Sequence, residues 1–126
     1  MTPHTAVFRR LFEVVQQHIP TYDYLPDGQA EYPFAYIGEL HSQDRNLTDF
    51  MGNIHQTIHL YGTRTQRIAL DQAMKRIHDD LYLLVKSYGY YTKINEFTIQ
   101  IIQENTTGTP LLHYVIDAGF IYTKER

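Results

Sequence analysis

Between Ile54 and Gly62 the chain alternates: Ile54, Ile58 and Leu60 point one way, and His55, Thr57, His59 and Tyr61 point the other. A period of two marks a strand with one face buried. No other stretch constrains the fold as much, because an isolated strand must recruit neighbours and a covering layer. It constrains chemistry as well. His55 and His59 match the outer residues of the HExxH zinc motif, with Gln56 where the catalytic Glu would stand, but that motif requires a helix. On a strand the two rings lie roughly 13 Å apart, too far to share one ion. No metal is expected at this pair.

The elements on either side follow from their own patterns. From Pro3 to Ile19, the residues Val7, Phe8, Leu11, Val14, Val15 and His18 share one helical face, with Arg9, Arg10, Glu13, Gln16 and Gln17 opposite. Thr2 suits an N-cap ahead of Pro3, and Pro20 marks the stop. Pro26-Asp27-Gly28 is a turn signal, and Tyr32 to Gly38 reads as a strand opened by Pro33. The polar stretch from His41 to Asn53 reads as a long loop. After the alternating strand, Thr63 and Gln66 have capping-box spacing. A second helix then carries the stripe Leu70, Ala73, Met74, Ile77, Leu81, Leu84 and Val85, with Gly89 as its C-terminal cap and an Asp71–Lys75 pair. Ile68 and Leu83 fall on the opposite face. A closing hairpin places Phe97, Ile99 and Ile101 on one face of its first strand, and Leu112, Tyr114, Ile116, Ala118, Phe120 and Tyr122 on one face of its second. The expectation is a single α+β domain over residues 1–126: two helices on a mostly antiparallel sheet of about four strands, in the order α-β-β-α-β-β.

Composition narrows the function classes. The chain of 126 residues has no Cys, which removes disulfides, thiolate metal sites and Cys nucleophiles together. Its formal charge is −3, so the cation surplus that drives phosphate-backbone binding is missing. No stretch approaches the roughly 18 apolar residues of a membrane span. Arg9 and Arg10 break the first apolar run, so no signal peptide is expected and use in the cytosol is. The 11 Tyr residues suit strands and protein interfaces alike. Ser42 and Ser87 lack a nucleophile elbow, the glycines form no phosphate loop, and Asp79-Asp80 read as a solvated face. His18 reads as a packed structural residue near a helix C-terminus, and the remaining histidines form no pattern. Neither catalytic residues nor cofactors are expected.

The order of elements, and the strand Tyr32-Pro33-Phe34-Ala35-Tyr36-Ile37-Gly38 with its aromatic-Pro-aromatic start and aliphatic-Gly end, resembles the tail terminator (tail-to-head joining, or tail completion) proteins of long, flexible-tailed phages. The resemblance also covers the variable loop, the strand Ile54–Tyr61, the helix and the closing hairpin. It implies a ring, of six copies in most members of the family, that caps the major tail tube protein and presents its other face to a head-completion connector. DNA would pass through the channel without specific binding. Localisation would be the virion tail, and the host cytoplasm during assembly. A head-to-tail ring needs two different patches on each subunit. Leu47, Phe50 and Met51 in the loop, Ile68 and Leu83 on the helix, and Tyr88, Tyr90 and Tyr91 before the hairpin are the candidates. The tyrosines have a plainer reading, as a roof over the core.

Two rival readings stay open from sequence. One is a small enzyme or ligand-binding domain using His55, His59 and Tyr61 on a sheet face. The other is a monomeric adaptor that binds a partner peptide along a sheet edge.

Overall fold

The computed structural model describes residues 1–28, 30–44, 51–105 and 108–125. In chain order the elements are α1 (Pro3–Gln16), β1 (Thr21–Tyr22), β2 (Phe34–Asp44), β3 (Met51–Thr63), a 3-10 turn (Arg64–Gln66), α2 (Arg67–Leu83), β4 (Lys86–Ser87), β5 (Tyr90–Glu104) and β6 (Leu111–Lys124). Among the described residues all strands join one sheet in the order β1-β2-β3-β6-β5-β4. It is a curled, mixed sheet of six strands, a half-barrel, rather than the expected four. β1 runs parallel to β2 and every other pair is antiparallel. The two additional strands, β1 and β4, are two residues each. So short a strand has no period to detect.

The structure also corrects the His41–Asn53 loop. β2 runs on to Asp44 and β3 starts at Met51, with His41 paired to His55 and Ser42 to Ile54. This end of the pair carries few apolar side chains, so its strand character is silent in the sequence. Leu47 and Phe50 lie outside the described residues.

Thr2 caps α1, its hydroxyl accepting from the Thr5 amide at 3.3 Å with Pro3 in the first turn. Ala6, Val7, Leu11, Val14 and Val15 are buried in one cluster with Leu70, Ala73, Ile77 and Leu81 of α2. Both helices therefore cover the same sheet face, the one carrying Ile54, Ile58 and Leu60 of β3 and Leu112, Tyr114, Ile116, Ala118, Phe120 and Tyr122 of β6. His18 closes the end of α1, its Nε2 lying 2.6 Å from Asp80 Oδ2 on α2. Asp80 is thus an inter-helix partner and not merely a solvated carboxylate. α2 begins where the Gln66 side chain accepts from the Thr63 amide at 2.9 Å and donates to the Tyr32 carbonyl at 3.1 Å. It ends at Leu83, with Leu84 already extended. Val85 is exposed rather than part of the stripe. Lys75 pairs with Asp79 at 2.7 Å instead of with Asp71.

β6 is the spine of the sheet, paired with β3 from Leu111 to Thr123 and with β5 from Leu111 to Lys124. The outer strands contrast with it. β1 covers β2 only at Ala35 and Tyr36, and β4 covers β5 only at Tyr90 and Tyr91. The ladders among the described residues therefore leave β2 open from Ile37 onward and β5 open from Lys93 onward.

One polar residue sits in the apolar row of β3. Gln56 is fully buried, and its side-chain amide donates to the carbonyls of Gly38 and Glu39, both at 3.0 Å. Those two residues form the β-bulge where the β2–β3 register shifts, between Ile37 and Leu40. A bulge leaves backbone groups off the ladder. Gln56 satisfies them, and this explains an amide among isoleucines.

Candidate functional site

Gly89, expected as a helix cap, lies instead in the two-residue turn between β4 and β5, with φ of +44° at Tyr88 and +92° at Gly89. Positive φ at both positions is the hairpin geometry that favours Asn-Gly, and a bulky aromatic there is strained. Tyr88 is held by its surroundings. Its hydroxyl donates to Glu13 Oε2, and the Arg9 guanidinium lies 5.0 Å from the ring centre. The ring is still substantially exposed.

The other nominated residues that the structure describes do not form one patch. Tyr90 is 2% exposed and belongs to the core, edge-on to Tyr122 at 5.8 Å. Met51 and Tyr91 both pair with Thr123. They therefore sit in one row across β3, β6 and β5 on the face away from the helices. Ile121, one pair further along on the same face, is exposed beside them. Leu83, 79% exposed at the end of α2, is separated from exposed Val85 by buried Leu84, shortly before β4. Ile68, 74% exposed, is near the opposite end of α2, roughly 22 Å away along the helix. There it shares a cavity with Arg67, Asp71, Gln72, Ile101 and Tyr114. Ile99 and Ile101 occupy helix-side positions of β5, opposite Ile116 and Tyr114, yet both are exposed.

Sequence reasoning missed a second feature on the face away from the helices. His59 Nδ1 lies 2.8 Å from His113 Nε2. His59 Nε2 is 3.2 Å from Glu39 Oε1, and His113 Nδ1 is 2.7 Å from Glu104 Oε1. The chain Glu39–His59–His113–Glu104 thus crosses the sheet through β2, β3, β6 and β5. Tyr61 stacks on His113 at 4.2 Å and Tyr36 on His59 at 5.4 Å. Burial pushes the His113 imidazole below its ordinary value, while the Glu104 hydrogen bond works against that shift. Burial likewise raises Tyr61, with Glu104 and Glu39 adding to it. Gly38 makes room, because a Cβ there would stand 2.9 Å from the His59 ring. His55 belongs to another group, stacked on His41 at 5.1 Å and 3.5 Å from Asp117 Oδ1. The His55/His59 pair thus divides between two clusters. Among the described residues no group of three His, Cys, Asp or Glu side chains could hold a metal ion. No helix among them is long and apolar enough to cross a membrane.

No family model matches this chain, and no curated protein does. One solved structure, whose name states no function, aligns over 98% of this chain and 94% of its own, with a TM-score of 0.58 at 14% sequence identity. At that identity the likeness shows the fold alone.

Proposed function

We propose that this chain is the subunit of a ring that ends polymerisation of a phage tail tube and joins the tail to the head connector. The observation that carries the reading is the sheet, open along both of its long outer strands. β2 and β5 are separated by three antiparallel pairings, so they run in opposite directions. Rotation about an axis along the strands would bring β5 of one copy beside β2 of the next in antiparallel order. That is a heterologous contact of the kind that closes rings. Unprotected edges are hazardous in a monomer and useful in a subunit. The exposed apolar residues Leu83, Val85, Tyr91, Ile99 and Ile101 belong to β5 or to the segment leading into it, which supports that edge as a joining surface. The face away from the helices carries Glu39, Glu96, Glu104 and Asp117 against Lys86 and Lys93. An acidic lining suits a channel through which DNA slides without being held.

Under this reading the partners are further copies of the chain, the tail tube protein and the connector. Native mass spectrometry across a concentration series is expected to show a closed ring, of six copies if the resemblance holds. Deleting the gene from its phage should leave tails of uncontrolled length that do not join heads. Normal tails on infectious particles would sink the proposal. A narrower test uses the strained turn. Tyr88→Asn restores the preferred Asn-Gly pair, so folding stability should stay within about 1 kcal/mol of wild type. Ring formation should weaken at least tenfold if Tyr88 is an anchor, measured by analytical ultracentrifugation beside urea denaturation.

A further inference from the structure

The four-residue chain across the sheet has a proton count that can be worked out from its contacts. Three contacts link four ring nitrogens and two carboxylates: Glu39 to His59 Nε2, His59 Nδ1 to His113 Nε2, and His113 Nδ1 to Glu104. Each carboxylate accepts, so both outer nitrogens must carry hydrogen. The inner contact needs one N–H facing one bare nitrogen. All three contacts are made with three N–H groups, which is one imidazolium and one neutral imidazole sharing a proton. With two N–H groups, one contact sets acceptor against acceptor. With four, N–H faces N–H at 2.8 Å.

We infer that Glu39, His59, His113 and Glu104 form a one-proton crosspiece, a pH-sensitive device that ties edge strand β2 to edge strand β5 only while the two histidines share a single extra proton. Coupled groups of this kind titrate as a pair. The surroundings fit the assignment. Tyr36 and Tyr61 cover the rings, and Tyr32 adds a further hydroxyl near Tyr61. The carboxylates facing the pair are Glu39 from β2 and Glu104 from β5, and Arg64 lines a cavity with Glu104. The His113 side chain is 9% exposed and that of His59 12%, so water is largely kept from the inner contact, whereas Glu39, 69% exposed, meets water at the outer one. Burial works against a charge on His113, with its Glu104 hydrogen bond pulling the other way.

The sign of the acid response follows. Below the ordinary imidazole value the unfolded chain binds a proton on each ring, while the folded pair admits one. Stability therefore falls as pH drops through the histidine range. At the other limit, removing the shared proton sets His59 Nε2 and Glu39 Oε1 against each other as two acceptors. Glu39 lies in the bulge of one open edge and Glu104 near the end of the other, so either change reaches both edges at once.

The test is long-range 1H–15N correlation of the imidazole nitrogens in wild-type protein, with the urea-unfolded chain as reference. At about pH 5, where free imidazoles are cationic, the folded protein should show His113 as the neutral Nδ1–H form and His59 as imidazolium. The backbone amides of Glu39 and Glu104 should shift together in the same step as the rings. Two imidazolium rings at that pH, two neutral rings at about pH 6, or edge amides that move at unrelated pH values would each overturn the inference. Gly38→Ala, which drives a Cβ into the His59 ring, should abolish the joint step while the β6 amides still report a folded sheet. A joint step that survives intact in this variant would also count against the assignment.

Discussion

Replacing Gln56 with Glu is expected to cost on the order of 4 kcal/mol at neutral pH, since a carboxylate buried at this depth resists ionisation by about three pK units. The amide donates to two bulge carbonyls at 3.0 Å, and a carboxylate there would point negative oxygen at both. The sign is testable. Burial without a donor raises the folded-state value of the new carboxyl above its unfolded value, so the folded variant binds the proton more tightly. The deficit should therefore be greatest at neutral pH and shrink as the solution is acidified toward the ordinary Glu range. Urea denaturation of wild type and variant across pH would show the gap closing. Gln56→Leu provides the comparison. It loses the donors without adding charge, and should cost about 1–3 kcal/mol with little dependence on pH. A pH-independent deficit for the Glu variant would mean that the bulge opens to water.

The second large effect is expected at Phe120. It lies on β6, the strand paired on both sides, and is 1% exposed. Phe120→Ala should cost about 3–5 kcal/mol, as large-to-small changes do where the surroundings cannot collapse. The next residue gives the contrast. Ile121 faces away from the helices and is exposed, so Ile121→Ala should fall within about 0.5 kcal/mol of wild type. A comparable loss at both positions would contradict the assignment of faces. If Ile121 belongs to an assembly surface with Met51 and Tyr91, the same Ile121→Ala variant should be stable yet weak in ring formation.

Those residues also show what could be read in advance. α1 was legible because Thr2, Pro3 and an unbroken apolar stripe agree at every level. The core face of β3 was legible because Ile54, Ile58 and Leu60 keep a period of two. Gln56 hid its role, since nothing local announces a bulge on a neighbouring strand. The outer parts of the sheet were unreadable for another reason. β1 and β4 are too short to show a period, and His41–Asp44 pairs through its backbone while its sequence stays polar. Gly89 was misplaced because a glycine after a helix suits a cap and a hairpin turn equally well. The histidine crosspiece depends on sheet order. His59 and His113 meet only because β6 inserts beside β3, and no spacing within the chain implies that.

That insertion has a consequence for how the molecule is made. The strand in the middle of the sheet is the last of the six to leave the ribosome. Until Leu111–Lys124 has been synthesised, β2–β3 and β4–β5 have no strand to join them, and each half presents an unpaired edge to the crowded cell. Folding of the sheet should therefore be a single late event, dominated by contacts between distant parts of the chain. A nascent chain stalled before residue 111 should remain protease-sensitive throughout its strands, whereas emergence of residues 111–124 should protect both halves together. A sheet built this way cannot close until residues 111–124 have been made.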